Sequence, residues 1–184
     1  MSYTLEYKSP ADYSERSERE KRCYDLLNSL GIDYWRCDHP DANANTMADC
    51  LEIDAILEAT VCKNLFLTNR QKTEHYLLMM PGDKVFKTKE LPPQVGCARL
   101  SFGSPEEMEA YIGCAPGSAS ILGLMNDPEN KVVLLVDEDV LKGEFVGCHP
   151  CLNTTSLKIR TEDMFGPLLK AMGHEMKTVR LIGE

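Results

Sequence analysis

Three short stretches of this sequence carry groups suited to chemistry. In Thr60-Val61-Cys62-Lys63-Asn64-Leu65-Phe66-Leu67, strand alternation puts Lys63 on the same face as Val61, Leu65 and Leu67. An ammonium on an apolar face has two readings. It is an inward guard on an edge strand, which discourages aggregation, or it lines a cleft, where partial desolvation strengthens its pull on an anion. Pro116-Gly117-Ser118-Ala119-Ser120 is a loop in which Gly117 lets backbone approach a ligand and successive amides can cradle an oxyanion or carbonyl. Pro-Gly-Ser is also an ordinary turn. Cys148-His149-Pro150-Cys151 joins a C-x-x-C spacing to a histidine. A structural zinc site needs about four ligands, and no second closely spaced cysteine pair exists, so no metal is expected. A thioredoxin-type motif should open a helix, whereas Asn153-Thr154-Thr155 leads into a strand. That leaves His149 as the interesting residue, although a lone histidine is most often structural. No GxSxG, HExxH, P-loop or GxGxxG pattern occurs.

The elements that must position these residues follow from periodicity and punctuation. Ser17 and Glu20 stand at capping-box spacing before the stripe Cys23, Leu26, Leu27, Leu30, which predicts a helix ended by Gly31. Ile32 to Asp38 reads as a strand. Pro40 to Ala44 reads as a loop, and Thr46 and Asp49 can cap a helix carrying Cys50, Ile53, Ala55 and Leu57. Thr60 to Leu67 and His75 to Met80 form a hairpin. A short helix near Lys87 to Leu91 and a strand Ala98 to Phe102 precede Ser104-Pro105, a strong helix start, with Gly113 as its stop. A Gly/Ser-rich loop follows at 116 to 123. Strands are expected at Lys131 to Val136, near Phe145 and at Thr155 to Arg160, then a helix from Thr161 to Gly173 and a closing strand Met176 to Leu181. Hairpins outnumber βαβ units, so the class is α+β, in one domain spanning 1–184 with an irregular N-terminal extension at 1–13.

Composition limits what such a domain does. Its 184 residues are 43% apolar, enough for a sizeable core, and no apolar run approaches the roughly 20 residues of a membrane span. No membrane partner is expected. The polar, acidic N-terminus shows no signal peptide, so a cytoplasmic protein with eight reduced cysteines is the expectation. A formal charge of −9 argues against covering a long nucleic-acid backbone, so DNA is not an expected partner. It leaves room for a single RNA terminus.

The order of segments adds a resemblance. His39-Pro40 to Thr46, Lys63-Asn64-Leu65-Phe66-Leu67, Pro116-Gly117-Ser118 to Gly123-Leu124 with Asn126-Asp127, His149-Pro150 with Asn153-Thr154, and the closing Phe165 to His174 resemble the YbaK/prolyl-tRNA-synthetase-associated domain, from about residue 20 onward. The resemblance implies a compact, mixed, mostly antiparallel sheet flanked by helices that hydrolyses the ester between a wrong amino acid and tRNA. Within the family the chain is most similar to free-standing proteins that clear alanine from proline tRNA. It implies Lys63 and His149 as catalytic residues, Gly117, Ser118 and Asn153 as substrate-binding residues, and no cofactor. The expected partner is a tRNA acceptor end carrying a wrong amino acid, and a prolyl-tRNA synthetase is a second candidate. Where relatives tend to read Ser-Pro-Phe-Gly-Leu, this chain reads Ser120-Ile121-Leu122-Gly123-Leu124, which leaves the acyl preference open. Two alternatives stand beside this reading: a non-catalytic sensor of an amino acid or aminoacyl-tRNA, and a deacylase for serine or cysteine.

Overall fold

The computed structural model describes residues 3–40 and 47–183. Helix α1 (Glu18–Ser29) begins at its expected cap, with Ser17 Oγ accepting from the Glu20 amide at 3.3 Å. The other half of the capping box is not made. Glu20 is buried and pairs with Arg16 at 3.0 Å, an electrostatic partner stronger than a free backbone amide. Helix α2 (Met47–Leu57) follows; the expected loop to Ala44, the Thr46 cap and the Asp49 side chain lie outside the described residues.

The strands form two sheets rather than one. The first has the order β1 (Glu6–Tyr7), β2 (Tyr34–Asp38), β8 (Thr155–Arg160), β7 (Phe145–Cys148), antiparallel throughout. The second has the order β5 (Leu100–Phe102), β3 (Cys62–Asn69), β4 (His75–Pro81), β6 (Val132–Asp137), β9 (Met176–Val179). Here β3 pairs antiparallel with both neighbours, while β4–β6 and β6–β9 are parallel. The fold is thus compact α+β with mostly antiparallel pairing flanked by helices. Residues 1–13, expected to be irregular, contribute β1; two paired residues are too short a strand to leave a period in sequence.

The hairpin works as the sequence suggests. Asn69 Oδ1 accepts from the Thr73 and Glu74 amides at 2.9 and 3.1 Å and so shapes the turn. Strand β4 lies in the middle of its sheet and is buried on both faces, Leu77 and Met79 in the main core and Tyr76, Leu78 and Met80 in a second cluster. Helix α4 (Pro105–Ile112) has both arms of its Ser104/Glu107 capping box. Part of the expected 116–123 loop is instead a 3₁₀ turn, Ile121–Asn126, with Ile121, Leu122 and Leu124 fully buried. Ser120 caps it, and only glycine fits at 123, because a Cβ there would lie 2.5 Å from Ile112 O.

Two of the sequence motifs turn out to be structural. Asp127, 4% exposed, accepts from the Lys131 and Val132 amides at 3.0 and 2.8 Å and from His174 Nε2 at 3.0 Å. It ties the start of β6 to the chain after the last helix. Asp127→Ala would strand two buried donors, Val132 N and His174 Nε2, and a part-buried one, so it should cost about 3 kcal/mol and lower the melting temperature by roughly 10 °C. Calorimetry of the variant checks this; an unchanged transition would mean these donors find other partners.

Candidate active site

The two sheets meet at the start of β3. Thr60 N donates to Phe145 O at 2.9 Å and Thr60 O accepts from Gly147 N at 3.0 Å, which sets Cys62 and Asn64 beside the β7–β8 loop. Helix α2 covers the gap. Its Cys50, Ile53, Asp54 and Leu57, with Cys62, Asn64, Gly117, His149, Asn153 and Ser156, line a cavity of about 360 Å³, the size of a small-ligand site. A second cavity, about 390 Å³, shares Cys62, Asn64, Gly117 and His149 with the first and adds Lys63 and Phe102.

The histidine is well oriented. His149 Nδ1 lies 2.8 Å from Thr155 O, and a carbonyl only accepts, so Nδ1 carries the proton and Nε2 is an acceptor in the neutral ring. Burial holds its pKa below the ordinary 6.5, against the pull of that carbonyl. Ser120 Oγ donates to His149 O at 2.5 Å and fixes the backbone. Beside it His39 Nε2 meets Ser156 Oγ at 2.9 Å, with the two histidine rings 6.3 Å apart.

Gly117 and Ser118 divide in role. Gly117 has φ +83°, and an added Cβ would meet nothing within 4 Å, so backbone conformation rather than space favours glycine there. Its bare backbone borders both cavities. Ser118 is buried beneath, its hydroxyl donating to Ala115 O at 2.8 Å and Cys151 O at 3.3 Å, and it lines neither cavity. Asn153 lines the first cavity.

Lys63 borders the second cavity, and its Nζ donates to Lys84 O at 2.5 Å. Lys84 is itself anchored, its Nζ donating to Asp137, Asp139 and Leu181 O, each at 2.7 Å. An ammonium has three donors, so Lys63 keeps capacity for an anion while its stem is held.

Two cavity residues escaped the sequence reading. Asn64 Oδ1 is buried with no hydrogen-bond partner, an acceptor that a ligand would satisfy. Asp54 makes no ion pair among the described residues, and burial alone raises its pKa above the carboxylate norm. The signal for Asp54 is in the sequence: Cys50, Ile53, Asp54 and Leu57 follow i, i+3, i+4, i+7, so one acid stands inside an apolar helical stripe. The thiols are poor nucleophiles by contrast. Burial pushes Cys62 and Cys148 up to about 12, so both are protonated at neutral pH.

A two-sheet α+β domain with a carboxylate, an orphan amide oxygen and an oriented histidine around one cavity, and a lysine on the adjoining cavity, suits a ligand that is cationic at one end and anionic at the other. The chain belongs to the aminoacyl-tRNA editing domain family, whose model matches residues 41–166. It is similar to the prolyl-tRNA editing protein ProX of Acetoanaerobium sticklandii, 28% identical over 155 residues covering 84% of this chain and 93% of that one. It is 29% identical to prolyl-tRNA synthetase associated domain-containing protein 1 of Mus musculus, covering 87% of this chain and 92% of that protein. A solved structure of a proposed trans-editing enzyme for prolyl-tRNA synthetase superposes with a TM-score of 0.64 at 18% identity over 90% of this chain and 98% of that one, a likeness of fold. Family membership supports a general aminoacyl-tRNA editing, or deacylase, activity and a tRNA partner.

Proposed function

We propose that this protein hydrolyses mischarged aminoacyl-tRNA, with alanine on proline tRNA as its substrate. The observation that carries the proposal is the cavity with an unpaired carboxylate, Asp54, on one wall and His149 and Asn64 on another. An aminoacyl ester brings an α-ammonium, an ester carbonyl and a ribose hydroxyl into one small volume, and these walls offer a partner for each. Asp54 takes the ammonium. The backbone at Gly117 meets the carbonyl end, and Lys63 meets the terminal phosphate or the charge that develops on the carbonyl oxygen. Asn64 Oδ1 and His149 Nε2 accept from the ribose hydroxyl or from the attacking water, and so orient it. The ester is already activated and the neighbouring hydroxyl can position water, so no protein nucleophile is required. The names of the relatives from Acetoanaerobium sticklandii and Mus musculus, both referring to prolyl-tRNA or its synthetase, favour proline tRNA over other acceptors.

The need for such an enzyme is energetic. A synthetase pocket shaped for proline rejects larger side chains by clash but loses only about 1–3 kcal/mol per missing methylene with smaller ones. The cavity under α2 acts as the second sieve, with Ile53 and Leu57 as its apolar walls. The proposed setting is the cytoplasm, with a prolyl-tRNA synthetase as a further partner. A panel of mischarged tRNAs, followed by loss of label from each, tests the reading: alanine leaving proline tRNA fastest supports it, and serine or cysteine leaving faster would reassign the acyl preference.

The histidine gives a pH signature. Because burial lowers its pKa, His149 loses its Nε2 acceptor only in more acid solution than an ordinary imidazole does. The ratio of wild-type to His149→Gln single-turnover rates cancels the titration of the substrate. That ratio should be about 10 at pH 8 and should fall towards 1 in acid, with its midpoint below the ordinary imidazole value of 6.5. A ratio whose midpoint lies above 6.5, or that is 1 throughout, would remove the neutral imidazole from the mechanism.

A further inference from the structure

The cavities do not end at Lys63. Strand β3 pairs with β4 along its whole length, but with β5 only at Leu67, Thr68 and Asn69. Gly103 N donates to Phe66 O at one end and Gly147 N to Thr60 O at the other, and between them this edge of β3 has no strand partner among the described residues. The second cavity lies along that open edge. Phe102 then joins it to a third cavity of about 450 Å³, bordered by Phe86, Lys89, Arg99 and Ser101. Phe102 thus borders both of these cavities, so the third lies next to the second, which in turn shares His149 with the cavity that holds Asp54.

The third cavity has a distinct chemistry. Phe102 is 64% exposed, an unusual placement for a ring of that size, and it meets Phe86 edge-on at 6.0 Å between centroids. Lys89 and Arg99 are exposed beside them with no ion pair among the described residues, in a chain of net charge −9. The one carboxylate in the adjoining turn, Glu90, accepts from the Ile182 and Gly183 amides at 2.8 and 3.3 Å. Aromatic faces with unpaired cations along a groove are what unpaired nucleotides use: bases stack on rings, and phosphates meet Lys and Arg.

We propose that the Phe86/Phe102 rings with Lys89 and Arg99 form a docking track for the single-stranded end of an RNA, which leads its terminal residue into the cavity beside His149. The inference rests on the deacylase reading for its substrate, yet the track binds RNA whether or not the ester is cleaved. Phe86 packs on the second core cluster, but Phe102, Lys89 and Arg99 all lie at the surface, so substitutions at those three should leave the chain folded.

Fluorescence anisotropy with a short, uncharged, labelled single-stranded RNA tests the track by itself. The wild-type chain should bind it, and Phe102→Ala should weaken binding about 10-fold. Lys89→Ala combined with Arg99→Ala should also weaken it, and should flatten the dependence of log Kd on log salt by about one to two. Circular dichroism and thermal unfolding of each variant confirm that it is folded. Wild-type affinity in the folded variants, or no binding by the wild type, would overturn the track. A chain that binds RNA on this track but cleaves no aminoacyl ester would fail the deacylase reading alone, and one that cleaves while its variants bind normally would fail the track alone.

Discussion

Lys63→Ala should lower single-turnover deacylation of alanyl-tRNA for proline by about 100-fold or more, a typical cost of losing one group that meets developing charge. Its melting temperature should change little, because the side chain is half-buried and its one hydrogen bond among the described residues is to Lys84 O. The competing reading has a structural basis of its own. The stretch of β3 that carries Lys63 does have an open edge, so an inward lysine there could guard against edge-to-edge pairing. That reading expects hydrolysis at the parent rate and faster aggregation from the same substitution. The two outcomes are opposite, and rate and light scattering measured on one preparation separate them. Lys63→Arg helps to locate the charge: a planar fork reaches differently from a point ammonium, so it should restore little of the rate.

Asp54→Ala should lower kcat/KM for alanyl-tRNA roughly 10- to 100-fold, the scale of one hydrogen bond to a charged group. An ester whose α-amino group is acetylated should show the same loss with the wild type and no further loss with the variant, because the interaction is already gone. Equal losses on both substrates would mean that Asp54 does not meet the ammonium. Stability supplies an independent check. Burial raises the Asp54 pKa, so the folded protein takes up its proton more readily than the unfolded chain and the charged form is a burden at neutral pH. Asp54→Asn should therefore raise the melting temperature at pH 7, and this advantage should shrink as pH falls towards the raised pKa and the wild-type carboxyl becomes neutral. An unshifted melting temperature at pH 7 would mean that the carboxylate is well solvated.

Much of the scaffold is legible in the sequence because it depends on neighbours in the chain. Ser104 and Glu107 form their box, Gly31 and Gly113 stop their helices with φ of +66° and +61°, and Leu65 and Leu67 pack on the opposite face of β3 from Phe66. Local rules fail where a distant partner competes. Glu20 abandons its cap for Arg16, and the run Ile121 to Leu124 coils into a 3₁₀ turn because Ile112 and the core receive it. The site is legible only in part for the same reason. Lys63, Gly117, His149 and Asn153 do converge on the linked cavities, whereas Ser118 ties two loops together below them. Asp54 and Asn64 gain meaning only from α2 lying over the start of β3, a juxtaposition fixed by the Thr60 bridge between the sheets.

Hydrolysis of a wrong acyl group by this cavity is measured most directly with alanyl- and prolyl-tRNA built on the same proline tRNA, each mixed with excess protein and followed over a single turnover. Alanine should be released at least 100-fold faster than without protein, and proline at close to its spontaneous rate, since the cavity must exclude the correct amino acid. Alanine lost no faster with the folded protein than without it would contradict the account.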